Sequence, residues 1–130
     1  MGYTKSSFVE HVAIYVKDIA WYIDFFDQAL GMKVKQVDGS TNSPKQIWTI
    51  GGLQFISDPS FDGRQGQMAH FGIVTENLVQ ALQVIYSWEN VAQVPDKDEN
   101  WVLLPDGLIL ELFEQKGNAV REVLSIDTRE

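Results

Sequence analysis

The sequence predicts an α+β fold built from two βαβββ modules in tandem. Three observations carry this: an internal repeat, short strands of alternating polarity, and two amphipathic helices that each follow a capping residue. "HVAIYVKDIAWYIDFF" (11–26) lies over "HFGIVTENLVQALQVI" (70–85) at a constant offset. His11 falls on His70, Ile14 on Ile73, Asp18 on Asn77, Ile19 on Leu78 and Phe26 on Ile85.

Each half opens with an alternating strand, in which Val12, Ile14 and Val16, or Phe71 and Ile73, form the apolar side. Asp18 then caps a helix whose Ile19, Tyr22, Ile23 and Phe26 follow the i, i+3, i+4, i+7 rule, and Gly31 stops it. Three strands follow, over Met32–Asp38, Lys45–Ile50 and Leu53–Ser57, with turns at Asp38–Ser43 and Gly51–Gly52. The aperiodic stretch Ser57–Gln67 links the halves, and its Arg64 and Gln67 read as a solvated loop. In the second half Asn77 caps a helix carrying Leu78, Ala81, Leu82 and Ile85. Strands are expected near Val91–Val94, over Trp101–Leu104, and over Leu108–Glu114 after the Pro105–Asp106–Gly107 turn. A tail from Asn118 can add a short helix with Val120, Val123 and Leu124, as a docking element or a frayed end. The expected organisation is one domain over residues 1–130, with module one at about 8–58, module two at about 67–115 and a C-terminal tail at 116–130.

Composition narrows the function. Eighteen acidic residues against ten basic ones give a net charge of −8, and the basic residues are scattered, so nucleic acid and anionic membrane surfaces are poor partners. Cysteine is absent, which removes disulfides, thiolate nucleophiles and thiolate metal ligands. No apolar run has the length of a membrane span, and the N-terminus lacks a signal-peptide pattern, so a cytoplasmic location is expected.

"LILELFE" (108–114) holds an acid inside an apolar strand. A buried carboxylate without a partner costs at least several kcal/mol, so Glu111 calls for one. Strand parity supplies candidates. With Leu108, Leu110 and Leu112 toward the helices, Glu111 points to the opposite side, as do His11 and His70 in their strands. These are the only two histidines in the chain. Two imidazoles and a carboxylate suit one divalent metal ion of borderline character, Fe, Mn, Zn, Ni or Co, and leave coordination positions open.

The stretches "HVAIYVKDIAWYIDFFDQALGMKV", "AHFGIV" and "LLPDGLILELFE" together resemble the vicinal oxygen chelate superfamily, which includes glyoxalase I, extradiol dioxygenases, fosfomycin-resistance proteins, methylmalonyl-CoA epimerase and bleomycin-resistance proteins. The resemblance spans residues 8–115, with Leu104 where the family's closing motif usually has aspartate. It implies a cupped, mostly antiparallel sheet with helices on its outer face, metal ligands at His11, His70 and Glu111, and a substrate bound through vicinal oxygens. Lyase, isomerase and dioxygenase chemistry all fall within it, and a homodimer is implied. The alternative within the same family is a metal-free protein that binds or sequesters a small molecule. Aligning "GGLQFIS" with "DGLILELF" puts Ile56 at the place matching Glu111, where glyoxalase I carries a second glutamate. Gln54, one step away on that face, is then a candidate fourth ligand. Trp48 and Trp101, on equivalent strands, would wall a substrate pocket with Gln54, Ile56 and Phe113. The chain has no third histidine to act as a base. Tyr15 could take that role beside Glu111, and Asp58 is a rim alternative that more simply caps its turn.

Overall fold

The computed structural model describes residues 2–63 and 66–126, so Arg64 and residues 127–130 of the tail lie outside the described residues. Its elements run β1 (Ser7–Val16), α1 (Ile19–Leu30), β2 (Val34–Gly39), β3 (Pro44–Thr49), β4 (Leu53–Ser57), β5 (Met68–Thr75), α2 (Leu78–Ile85), β6 (Ala92–Gln93), β7 (Trp101–Leu103), β8 (Ile109–Glu114) and α3 (Ala119–Leu124). Among the described residues this is the expected βαβββ pattern twice, an α+β fold of eight strands and three helices. The chain divides into two compact units, His11–His70 in one, and the residues up to Glu10 with those from Phe71 onward in the other.

In the His11–His70 unit the strand order is β2-β3-β4-β1. β2–β3 and β3–β4 are antiparallel, while β4 and β1 run parallel. A row of apolar side chains crosses it through the pairs Val37 with Ile47, Ile47 with Phe55, and Phe55 with Ile14. α1 lays Ile19, Tyr22, Ile23 and Phe26 on this face, and the rings of Tyr22 and Phe26 lie 5.6 and 5.3 Å from that of Phe55. The Asp18 side chain accepts the Trp21 backbone N–H, as an N-cap should. Gly31 closes the helix in the left-handed conformation that glycine tolerates best. Met32 then donates back to the Phe26 carbonyl. That reversal uses two more residues, which is why β2 starts at Val34 instead of Met32.

The other unit repeats the plan in the order β5-β8-β7-β6. β5 and β8 are parallel, and β8–β7 and β7–β6 are antiparallel. Leu82, Val102 and Leu112 are its buried core, with Ile73, Leu78, Ile85 and Leu110 packed against them. Asn77 caps α2 through the Gln80 N–H. Glu114 supports the same helix end, its Oε1 accepting the Leu78 N–H at 2.9 Å. The N-terminal arm is tied here too, as the Tyr3 hydroxyl meets Thr75 Oγ1 at 2.6 Å and Ser7 donates to the same oxygen at 2.8 Å. α3 docks through the buried Val120, while Val123 and Leu124 stay exposed. The tail is therefore a docked element through its first turn. Among the described residues no helix is long and apolar enough to cross a membrane.

Phe55 is fully buried at the centre of its cluster. Phe55→Ala should cost about 3–5 kcal/mol of stability, read by denaturant unfolding. The carboxyl of Glu114 is held below its ordinary value of 4.5, chiefly by the Leu78 N–H; burial opposes this, and Lys116 adds to it. A depressed folded value means stability that is present above the unfolded value and lost as pH falls through the folded one. Glu114→Gln keeps an acceptor for Leu78 but not the charge. It should therefore lower the melting temperature at pH 7 and flatten the acid limb below about pH 4.5 in thermal melts across pH.

Candidate functional site

His11 and Ala13 lie on the side of β1 opposite Ile14 and Val16, and both are buried, His11 to 5% exposure. β5 brings His70, 7% exposed, against His11. The two Nε2 atoms are 3.2 Å apart, and the rings meet edge to face. Strand pairing on either side holds both backbones, since the Val12 N–H donates to Gly52 and the Tyr15 N–H to Gln67.

That separation has a simple coordination meaning. Two bonds of about 2.1 Å from imidazole nitrogens to one metal ion, with the nitrogens 3.2 Å apart, enclose an angle of about 100°. This lies between the octahedral and tetrahedral angles. The donor pair therefore fits a divalent ion held through two Nε2 atoms with little adjustment.

The rest of this face is set by register. One row runs Trp48, Gln54, Ala13, and the next runs Gln46, Ile56, Tyr15. Gln54 is 5% exposed, and its Nε2 donates to Gln46 Oε1 at 2.7 Å. Gln46 in turn donates to the Asp38 carboxylate at 2.9 Å. Trp48 and Ile56 are half-buried. Tyr15, at 37% exposure, stands four residues past His11, about 13 Å along the strand at the usual rise. Asp58 caps its own turn, accepting from the backbone N–H and hydroxyl of Ser60. Gln67 does not stand free in solvent; its amide donates to the Tyr22 hydroxyl at 3.1 Å.

In the other unit Glu111 is half-buried on β8. It pairs with Gly72 of β5 on one side and Trp101 of β7 on the other. Leu110 and Leu112 point the opposite way, into the core beneath α2. Phe113 pairs with Val74. The Lys97 ammonium sits 5.1 Å from the centre of the Trp101 ring, on its face.

The registers correct one expectation. Ala13 and Gly72 are equivalent positions of the repeat, and Ala13 pairs with Gln54 while Gly72 pairs with Glu111. Trp48 opposite Gln54 and Trp101 opposite Glu111 repeat the relation. Gln54, not Ile56, is thus the counterpart of Glu111. The turn glycines mislead because the β7–β8 connection, Leu104–Leu108 with a 3-10 turn, is longer than Ile50–Gly52 between β3 and β4. Aligning on glycine shifts the strand by two places. The two tryptophans were the sequence signal that would have set the register. Asp38 and Gln46 carried no such signal, because their partnership depends on cross-strand pairing.

No protein-family model matches the sequence, and no curated protein sequence matches it. Solved structures do match in fold. The 2,3-dioxygenase LapB from Pseudomonas sp. KL28 aligns over 84% of this chain at 20% identity with a TM-score of 0.60. A homoprotocatechuate 2,3-dioxygenase variant from B. fuscum aligns over 84% at 12% identity with a TM-score of 0.58. The chain spans 42% and 34% of the length of those two dioxygenases. Methylmalonyl-CoA epimerase from Mycobacterium tuberculosis aligns over 87% of this chain and 91% of its own at 16% identity, with a TM-score of 0.54. The chain shares the fold of these dioxygenases and of the epimerase.

Proposed function

We propose that this protein is a divalent-metal-dependent enzyme that binds a small substrate through two neighbouring oxygens, with His11, His70 and Glu111 as the metal's protein ligands. The observation that carries the reading is the contact between two buried imidazoles, Nε2 to Nε2, at the distance a shared ion requires. Glu111 would complete a set of two nitrogens and one carboxylate oxygen. Its support is the register, since it pairs with Gly72, two residues past His70 on the same strand.

When bound, the metal would act as a Lewis acid that polarises substrate oxygens. The chain's own residues would do the rest. The histidines and Glu111 fix the ion; Trp48, Ile56, Trp101 and Phe113 wall the substrate; Gln54 offers a neutral polar group beside the ligands. Tyr15, exposed at the outer end of its face, would meet substrate instead of metal and is the candidate proton-transfer group. The fold neighbours include dioxygenases and an epimerase, so the metal itself separates the chemistries. Iron favours dioxygenation, whereas zinc, nickel or cobalt favours proton-transfer isomerisation or lyase chemistry.

Elemental analysis of protein purified without added metal should find about one ion per chain. His70→Ala should abolish it, and Glu111→Gln should weaken binding by at least tenfold in competition with a chelator. Protein that holds no metal, and takes none up on titration, would sink the reading and leave the metal-free binding alternative.

A further inference from the structure

The face that carries His11 also carries a continuous hydrogen-bonded chain, Asp38 to Gln46 to Gln54, crossing β2, β3 and β4. It begins at an exposed carboxylate and ends at a buried amide. A side-chain amide can present either its oxygen or its nitrogen to a neighbour, and the two senses have nearly the same shape. Only a group of fixed polarity can choose between them. Asp38 is such a group, because an ionised carboxylate accepts and never donates. Gln46 must therefore turn its NH2 to Asp38 and its oxygen to Gln54. Gln54 must then turn its own NH2 to Gln46, which leaves its oxygen as the end directed elsewhere. The sense of the buried amide is dictated by chemistry at the surface, two residues away.

We propose that Asp38 and Gln46 are positioning residues that lock the Gln54 amide with its oxygen presented as a neutral donor to the bound cation. The inference rests on the metal reading above and deepens it. Gln54 is buried, shares the His11 face and is the repeat counterpart of Glu111. An amide with the opposite sense would present two N–H donors to a cation and repel it. The unlocked side chain would divide its time between both amide senses and several rotamers, leaving about a tenth of the population competent, and the affinity would fall by that fraction.

Cobalt(II) titration of the metal-free full chain, followed by absorbance, tests the lock. Gln46→Leu removes the middle of the chain and should weaken cobalt binding about tenfold, as should Gln54→Ala. The double variant Asp38→Asn/Gln46→Glu rebuilds the polarity differently. Asn donates to Glu, and Glu still accepts from Gln54, so binding should return to within about twofold of wild type. Thermal melts of the metal-free variants separate this from simple loss of fold. A Gln46→Leu variant that is folded and binds as wild type overturns the proposal. So does a double variant as weak as Gln46→Leu. Should wild type take up no cobalt, the metal reading fails on its own, and the lock is decided on the metal-free protein. Exchange of the Gln54 side-chain amide protons, measured by NMR, should then be slow in wild type and in Asp38→Asn/Gln46→Glu and fast in Gln46→Leu. Equal rates in all three overturn it.

Discussion

The parallel pairing of β1 with β4, and of β5 with β8, is the constraint on which the remaining structure depends. Each pair joins the first strand of a module to its last and decides which side chains stand in one row. On one side the rows are apolar and accept a helix, as Phe55 and Leu112 do. On the other side the same rows set Ala13, Gln54 and Trp48, or Gly72, Glu111 and Trp101, in sequence across three strands. A residue's chemistry follows from its parity, and its neighbours follow from the register.

Parity was legible in the sequence and register was not. The alternation of Val12, Ile14 and Val16 against His11 and Ala13 is a local pattern, so the sidedness of every site residue could be read without a structure. The helices were equally legible, because Asp18, Asn77 and Gly31 act within a turn of where they stand. Register depends on which strand pairs with which and on the length of the connection. A longer loop before β8 was enough to make Ile56 look like the partner of Glu111. The hydrogen-bonded chain through Asp38 and Gln46 is non-local in the same way, and three polar residues on three strands look like ordinary surface in the sequence.

The two modules differ at a position that the repeat makes equivalent. One has a neutral amide at the position where the other has a carboxylate. Two carboxylates with two imidazoles would cancel the charge of a divalent ion completely, whereas one carboxylate leaves a net positive centre. Such a centre holds an anionic or strongly polarised oxygen more firmly. The amide also needs orienting in a way that a symmetric carboxylate does not.

The histidines sit on strands that are fastened on both sides of them. Upstream of His11 the arm is tied by Ser7 to Thr75, and immediately downstream Val12 bonds to Gly52. His70 lies between Gln67, bonded to Tyr15, and Phe71, paired with Leu110. Little backbone freedom remains at either imidazole once the chain has folded. The entropy of bringing the two nitrogens together is thus lost during folding. A ligand shared by the two nitrogens would find them already brought together by the fold.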